Sequence, residues 1–283
     1  MIRELGRPFL VNNQIASPQP AKRKLWLIVL GVYVAIGIAC QFGWLANGWM
    51  TIQSGEEMLP PSTAAWLGTD HLGRDLLAQL LQGVRIALAV GLLAGGGAVL
   101  LGTLLGLISG WFGGWLDKLV LWLSSTVVAI PGVLLVLTIA SVMKPGMSAV
   151  ITAFALVSWI GVYRLVRAET RGLRQAGFVM AAHVGGQSTS VILRRHLLPH
   201  LLPLIRLQFS LAFVWAIQTE AILSFLGVGI IDQASWGRMI ADAWTWNDLG
   251  SGNIWRLTSA TAALALLSLT VQKLAQSEDQ SAA

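Results

Sequence analysis

The sequence predicts an all-α fold: a polytopic membrane protein crossing the bilayer about six times. Three observations carry this. Only 11% of the 283 residues are charged while 55% are hydrophobic, against about 25% charged in ordinary soluble domains, so a water-facing surface is out of reach. About six apolar stretches are each long enough to cross a hydrocarbon core, which takes roughly 20 helical residues. The basic residues, finally, divide unevenly between the two sides those stretches define.

Taken in order, residues 1–24 form a polar N-terminal segment ending in Lys22, Arg23 and Lys24. The first span covers residues 25–45, too long and too far from the N-terminus for a cleavable signal peptide. The others follow at about 86–110, 116–142, 148–166, 204–229 and 254–274, before a polar tail at 275–283. With the N-terminus inside, 14 Lys and Arg fall on cytoplasmic pieces and 5 on external ones. That bias predicts cytoplasmic N- and C-termini, and it accounts for the net charge of +6 without invoking nucleic acid. Three polar segments exceed a simple turn: external loops at 46–85 and 230–253, and a cytoplasmic loop at 167–203. The 13 tryptophans suit the headgroup level, where contact with membrane lipid is expected. Cys40 is the lone cysteine and excludes an intrachain disulfide.

Several features inside the spans point to packing or to a pathway. Gly91 and Gly95, then Gly102, Gly106, Gly110 and Gly114, recur in steps of four and form a seam for close helix approach, within the chain or toward a partner. Gly97 to Gly102 has the glycine spacing of a nucleotide loop, but no lysine follows, so ATP binding is not expected here. Pro131 should kink or open the third span, either lining a path or easing packing. Glu220 is the carboxylate deep within a span, fit for a hydrogen-bonding role or for a proton relay. No Ser-His, His-Glu-x-x-His or paired-Asp arrangement stands at matching depth, so no catalytic residue is assigned. His71 lacks a second ligand at convincing spacing, and no metal site is assigned either.

The cytoplasmic loop reads as a basic amphipathic helix, a break at Gly185-Gly186, a short second helix begun by Ser188 or Thr189, and a stop before Pro199. Two short helices meeting at a glycine corner make a knob, suited to a groove on a partner or to anionic headgroups. The external stretch Gly68-Thr69-Asp70-His71-Leu72-Gly73-Arg74-Asp75 either guides ligand or binding protein, or pairs its own charges and caps the next helix.

These segments resemble a known family. The knob is similar to the "EAA" loop of bacterial ABC-type importers: Ala181, Ala182, Gly186, Arg195, His196, Leu198 and Pro199 fall in register, with Gln187 and Ser188 beside the corner. Met180 stands where that family has its glutamate. Gly68 to Asp75 resembles the "GTDxxGRD" signature of the second permease subunit of dipeptide, oligopeptide and nickel importers. Glu220-Ala221-Ile222-Leu223-Ser224-Phe225-Leu226-Gly227-Val228-Gly229, with Ser235-Trp236-Gly237 and Met239, resembles its "EAxLSFLGxG…WGxM" stretch. The family's C-terminal Gly-Asp…Arg-Asp…Leu-Asp-Pro pattern is absent.

The resemblance implies a type I ABC importer permease (MetI-like) fold, its permease core at 86–274, in a bacterial inner membrane. It also implies half of a translocation pathway for peptides, with nickel or a metal-chelate as the alternative cargo. Implied partners are a second homologous permease, two ATP-binding subunits that hold ATP and Mg, and an external substrate-binding protein. This chain itself is expected to carry no cofactor. A reading from another class is a stand-alone proton-coupled transporter built on Glu220.

Overall fold

The structure is a computed structural model describing residues 20–52, 57–230 and 232–282. The expected N-terminal segment thus lies outside the described residues up to residue 19. Ten helices carry the described chain: α1 (Pro20–Gln41), α2 (Leu76–Phe112), α3 (Gly114–Val128), α4 (Gly132–Val142), α5 (Met147–Arg174), α6 (Gly177–Val184), α7 (Thr189–Phe225), α8 (Trp236–Thr245), α9 (Asp248–Ser251) and α10 (Trp255–Ala282). Five of them are long and apolar enough to cross a membrane, and α3 with α4 makes a sixth if a broken pair counts as one span.

The third expected span departs most from its sequence reading. Pro131 is expected to kink or open it, and it opens fully: α3 and α4 meet at 91°. Pro131, at φ −54° and ψ 123°, stands as the N-cap of α4. A proline disfavours helical geometry at the residue before it, so the first helix stops short and a second starts beyond. The halves reach only about 22 and 17 Å, so neither alone crosses a core of about 30 Å.

Other boundaries move outward. Helix α2 begins at Leu76, inside the stretch expected as external loop, because Asp75 caps it by accepting the Leu77 amide at 2.8 Å. Helix α5 runs on to Arg174, and α10 takes in most of the expected tail. The second helix of the knob does not stop before Pro199: α7 passes through Pro199 and Pro203 into the fifth span. A π turn at Leu193–Leu197, where the Leu198 amide reaches back to the Leu193 carbonyl, explains this. The wider turn relieves the clash between a proline ring and the preceding helical turn.

Packing centres on α2. One core joins Val90, Ala94 and Ala98 of α2 to Val136 and Ala140 of α4, Val150 and Phe154 of α5, and Ala216 and Leu223 of α7. A second joins Tyr33 of α1, Val84 of α2, Ile217 of α7, Trp236 of α8 and Leu267 of α10. The glycine seam lies inside the chain. A Cβ on Gly102, Gly106 or Gly110 would strike α5, and one on Gly91 or Gly95 would strike Phe213 of α7. Gly114 leaves the seam: with Gly113 it forms the left-handed corner between α2 and α3, at φ +66° and +64°.

Candidate functional site

The knob is built on the end of α5. Ala176 turns the chain at φ −70° and ψ 143°, and α6 follows. That helix closes by a paired C-terminal motif: the Gln187 amide donates to the Ala182 carbonyl and the Gly186 amide to the His183 carbonyl, each at 3.1 Å. Such a closure places its second-to-last partner in the left-handed region, which glycine enters without a Cβ clash, and Gly186 sits at φ +76°. Ser188 caps α7 through its backbone, and its side chain makes no capping bond. Gln187 and His196 join across the corner at 2.9 Å, while Phe178 stacks on His200 with ring centres 4.7 Å apart.

The knob has an inside and an outside. Val179, Ala182, Ile192 and Leu197 pack with Trp111 at the end of α2. Outward lie Ala181, Arg195 and Pro199, along with Met180 at 56% exposure and Val184 at 91%.

Beneath the knob lies a cluster the sequence reading missed. Asp117, in the first turn of α3, is buried and accepts from Ser109, from Arg167 through two nitrogens, and from Arg171. Ser109 also meets the Tyr163 hydroxyl at 3.2 Å. One carboxylate therefore fastens the α2–α3 corner to the end of α5 that carries the knob. A local signal existed: an acid opening an apolar helix, and two arginines four residues apart on another.

At the opposite end of α2, the Gly68 to Asp75 motif is a folded turn. Gly68 and Gly73 take φ +80° and +69°, and a Cβ on Gly68 would stand 2.3 Å from the Leu59 carbonyl oxygen. Thr69 accepts the Leu59 amide at 2.9 Å. Asp70 is buried and accepts the amides of Leu72 and Arg74, the Arg74 guanidinium and the Gln79 amide group. Burial would raise its pKa, but these donors together hold it below the usual carboxylate range. The motif's charges are therefore spent on shaping the loop.

That loop leans on the segment after α8. His71 stacks on Trp246 at 4.1 Å and meets Arg256 at 3.3 Å. Arg256 in turn makes a two-pronged, fully buried bond with Asp248, both contacts 2.8 Å. Burial lowers the His71 pKa; Asp70 and Asp242 oppose the shift, and Arg256 and Arg74 reinforce it. The folded chain thus holds His71 neutral where the unfolded chain, near pH 6.5, takes up a proton. Its contribution to stability is complete above about pH 6.5 and falls as pH drops toward the lowered value. The melting temperature of the purified protein should accordingly fall more steeply from pH 6.5 downward for the wild type than for His71→Phe, which keeps a ring on Trp246. Equal slopes would refute this.

Glu220, near the end of α7, is buried and bonded to Ser224 at 2.7 Å, with Ser235 as a second partner. Its neighbours Gly229 and Gly237 allow the following turn and α8 to lie against α7: a Cβ on Gly237 would stand 2.5 Å from the Ala221 Cα. The carboxyl is a packing hydrogen-bond acceptor in this arrangement. Pro131 is exposed, at the break between α3 and α4.

The chain is similar to known proteins throughout. Residues 102–276 match the family described as binding-protein-dependent transport system inner membrane component. Among curated relatives, the dipeptide transport system permease protein DppC of Bacillus subtilis (strain 168) is 33% identical, over 89% of this chain and 79% of the relative. The glutathione transport system permease protein GsiD of Pectobacterium atrosepticum is 38% identical over 65% of this chain and 61% of the relative. The oligopeptide transport system permease protein OppC of B. subtilis is 35% identical over 65% and 60%. Among solved structures, an inward-facing form of the MetNI methionine ABC transporter matches with a TM-score of 0.58 at 19% identity, covering 73% of this chain and 97% of that one.

Proposed function

Because the chain belongs to the binding-protein-dependent inner-membrane components, the permease subunits of ABC importers, we propose that it forms half of a peptide pathway driven by separate ATPases. The relatives named for dipeptides, oligopeptides and glutathione support peptides as cargo. The proposed complex adds a second homologous permease, two ATP-binding subunits that hold ATP and Mg, and an external binding protein. The knob faces the cytoplasm, as do both termini, in keeping with 14 of the 19 basic residues on that side.

The observation that carries this reading is the knob: a rigid glycine corner with an exposed apolar tip, whose inner face is packed on Trp111. A lever needs both properties. Its outer surface must meet a moving partner, and its inner surface must pass the movement on. ATP binding draws the ATPases together, the seated knobs follow, and the spans swing from inward-open to outward-open. The binding protein then delivers its peptide, and hydrolysis resets the state. Unequal contact of the knob with open and closed ATPases supplies the coupling energy.

The test is Val184→Asp and Gly186→Trp in the complex reconstituted in proteoliposomes. Each should cut ATP-driven peptide uptake and binding-protein-stimulated hydrolysis by about tenfold or more, the equivalent of roughly 1.4 kcal/mol. At residue 186 the left-handed backbone adds about 1–2 kcal/mol of strain for any non-glycine residue. Unchanged coupling in both variants, or uptake by this chain without ATPases, would overturn the proposal.

A further inference from the structure

Two adjoining clefts open where the knob meets the α2–α3 corner. One, of about 540 Å³, is lined by Gly110, Gly113, Arg171, Arg174, Gln175 and Met180. The other, of about 410 Å³, shares Arg174 and Met180 and is floored by Trp111 and Val179. Of the two arginines lining this cleft, Arg171 is paired with Asp117 and Arg174 is not neutralised from within. Between residues 113 and 219 the acids are Asp117 and Glu169. Asp117 is saturated by Ser109, Arg167 and Arg171. Glu169 points away, because Arg167, Arg171 and Arg174 share one face of α5 and a residue two past Arg167 stands about 200° round the helix. Among the described residues, the Arg174 guanidinium meets the Trp111 ring at 5.8 Å and no carboxylate. Arg171, though bonded to Asp117, keeps 47% of its side chain exposed.

Met180 lines both clefts with Arg174, so a glutamate at that position would add a carboxylate to the wall that carries this guanidinium. With methionine there, the cleft is cationic and open. Building on the docking reading above, we propose that this cleft receives a carboxylate side chain from the ATPase partner, so that the acid of this contact is supplied in trans. The cleft is continuous with the exposed Met180 and Val184 tip, so one partner covers the apolar corner and the charged floor together. Its mixed wall of Trp111, Val179 and Met180 suits a protein side chain, where a lipid headgroup needs charge alone.

The consequence is contrary to family resemblance: restoring the glutamate should weaken the complex. Met180→Glu would offer Arg174 an internal partner and repel the incoming acid. Its uncharged comparison is Met180→Gln. ATPase binding by the assembled permease would be measured in nanodiscs of neutral phosphatidylcholine and of anionic phosphatidylglycerol, at low and high salt. Affinity should fall roughly tenfold for Met180→Glu relative to Met180→Gln, as expected for loss of a charge-assisted contact. Arg174→Gln should weaken binding similarly against the wild type. Both differences should appear in either lipid and shrink at about 0.5 M salt, as the screening length falls well below 10 Å. Equal or tighter binding by Met180→Glu overturns the inference, and so does an effect confined to anionic discs, which assigns the cleft to headgroups. Val184→Asp separates the two readings. If it releases the ATPases while Met180→Glu and Arg174→Gln do not, docking stands and the acid in trans fails. If it too leaves them bound, docking itself fails.

Discussion

Asp117→Ala should destabilise the permease by about 3–5 kcal/mol, the usual cost of stripping one partner from a buried ion pair. Asp117 is nearly inaccessible, and Arg167 beside it keeps only a small exposed fraction. Removing the carboxylate strands that guanidinium and takes from the Ser109 hydroxyl one of its two partners, at the joint between α2, α3 and α5. Unfolding of the purified chain in mixed micelles would measure the loss. A second substitution, Arg167→Met, should recover part of it, because an apolar side chain of similar length leaves no buried charge behind. The same variant should uncouple hydrolysis from uptake even where folding survives, since the end of α5 that carries the knob would lose its tie to the α2–α3 corner. A loss below about 0.5 kcal/mol would place the pair among surface bridges and remove it from this account.

Gly102→Leu should impair assembly by a different route. A Cβ at that position would stand 2.6 Å from both the Trp159 carbonyl oxygen and the Val162 Cβ. Neither atom lies at the free end of a flexible side chain, so α2 and α5 would have to part. Overpacking of this kind costs about 1–3 kcal/mol and sometimes more, and along a seam it disturbs the Gly106 and Gly110 contacts as well. Little folded protein should be recovered in size-exclusion chromatography. Gly161→Ala is the contrast: nothing stands within 4 Å of a Cβ there, and the change should be neutral or slightly stabilising. Equal recovery of both variants would show that the seam does not hold α2 to α5.

Much of this site was legible in the chain itself. The glycine corner and the helix before it follow from local turn chemistry, and Gly186 takes the left-handed conformation at φ +76°. The external motif was legible as a turn with a capping acid, and Asp75 does cap α2. The continuity of α7 through two prolines was not. It depends on a π turn that no residue type announces, and the expected helix stop before Pro199 rested on the average behaviour of proline. A kink or opening at Pro131 was legible, but not that the chain turns through 91° there.

The division has a physical cause. The cost of placing a segment in hydrocarbon depends on its own 20 or so side chains, so the sequence alone determined five stretches long and apolar enough to cross a membrane, and the motif that marks the knob. Pairings between distant segments have no such local signature. Asp117 with Arg167, His71 with Trp246 and Arg256, and Gly102 with Trp159 join residues brought together only when helices pack. The tertiary structure therefore decided which glycines form the seam, which acid anchors the lever, and that the arginines beside Met180 face an open cleft.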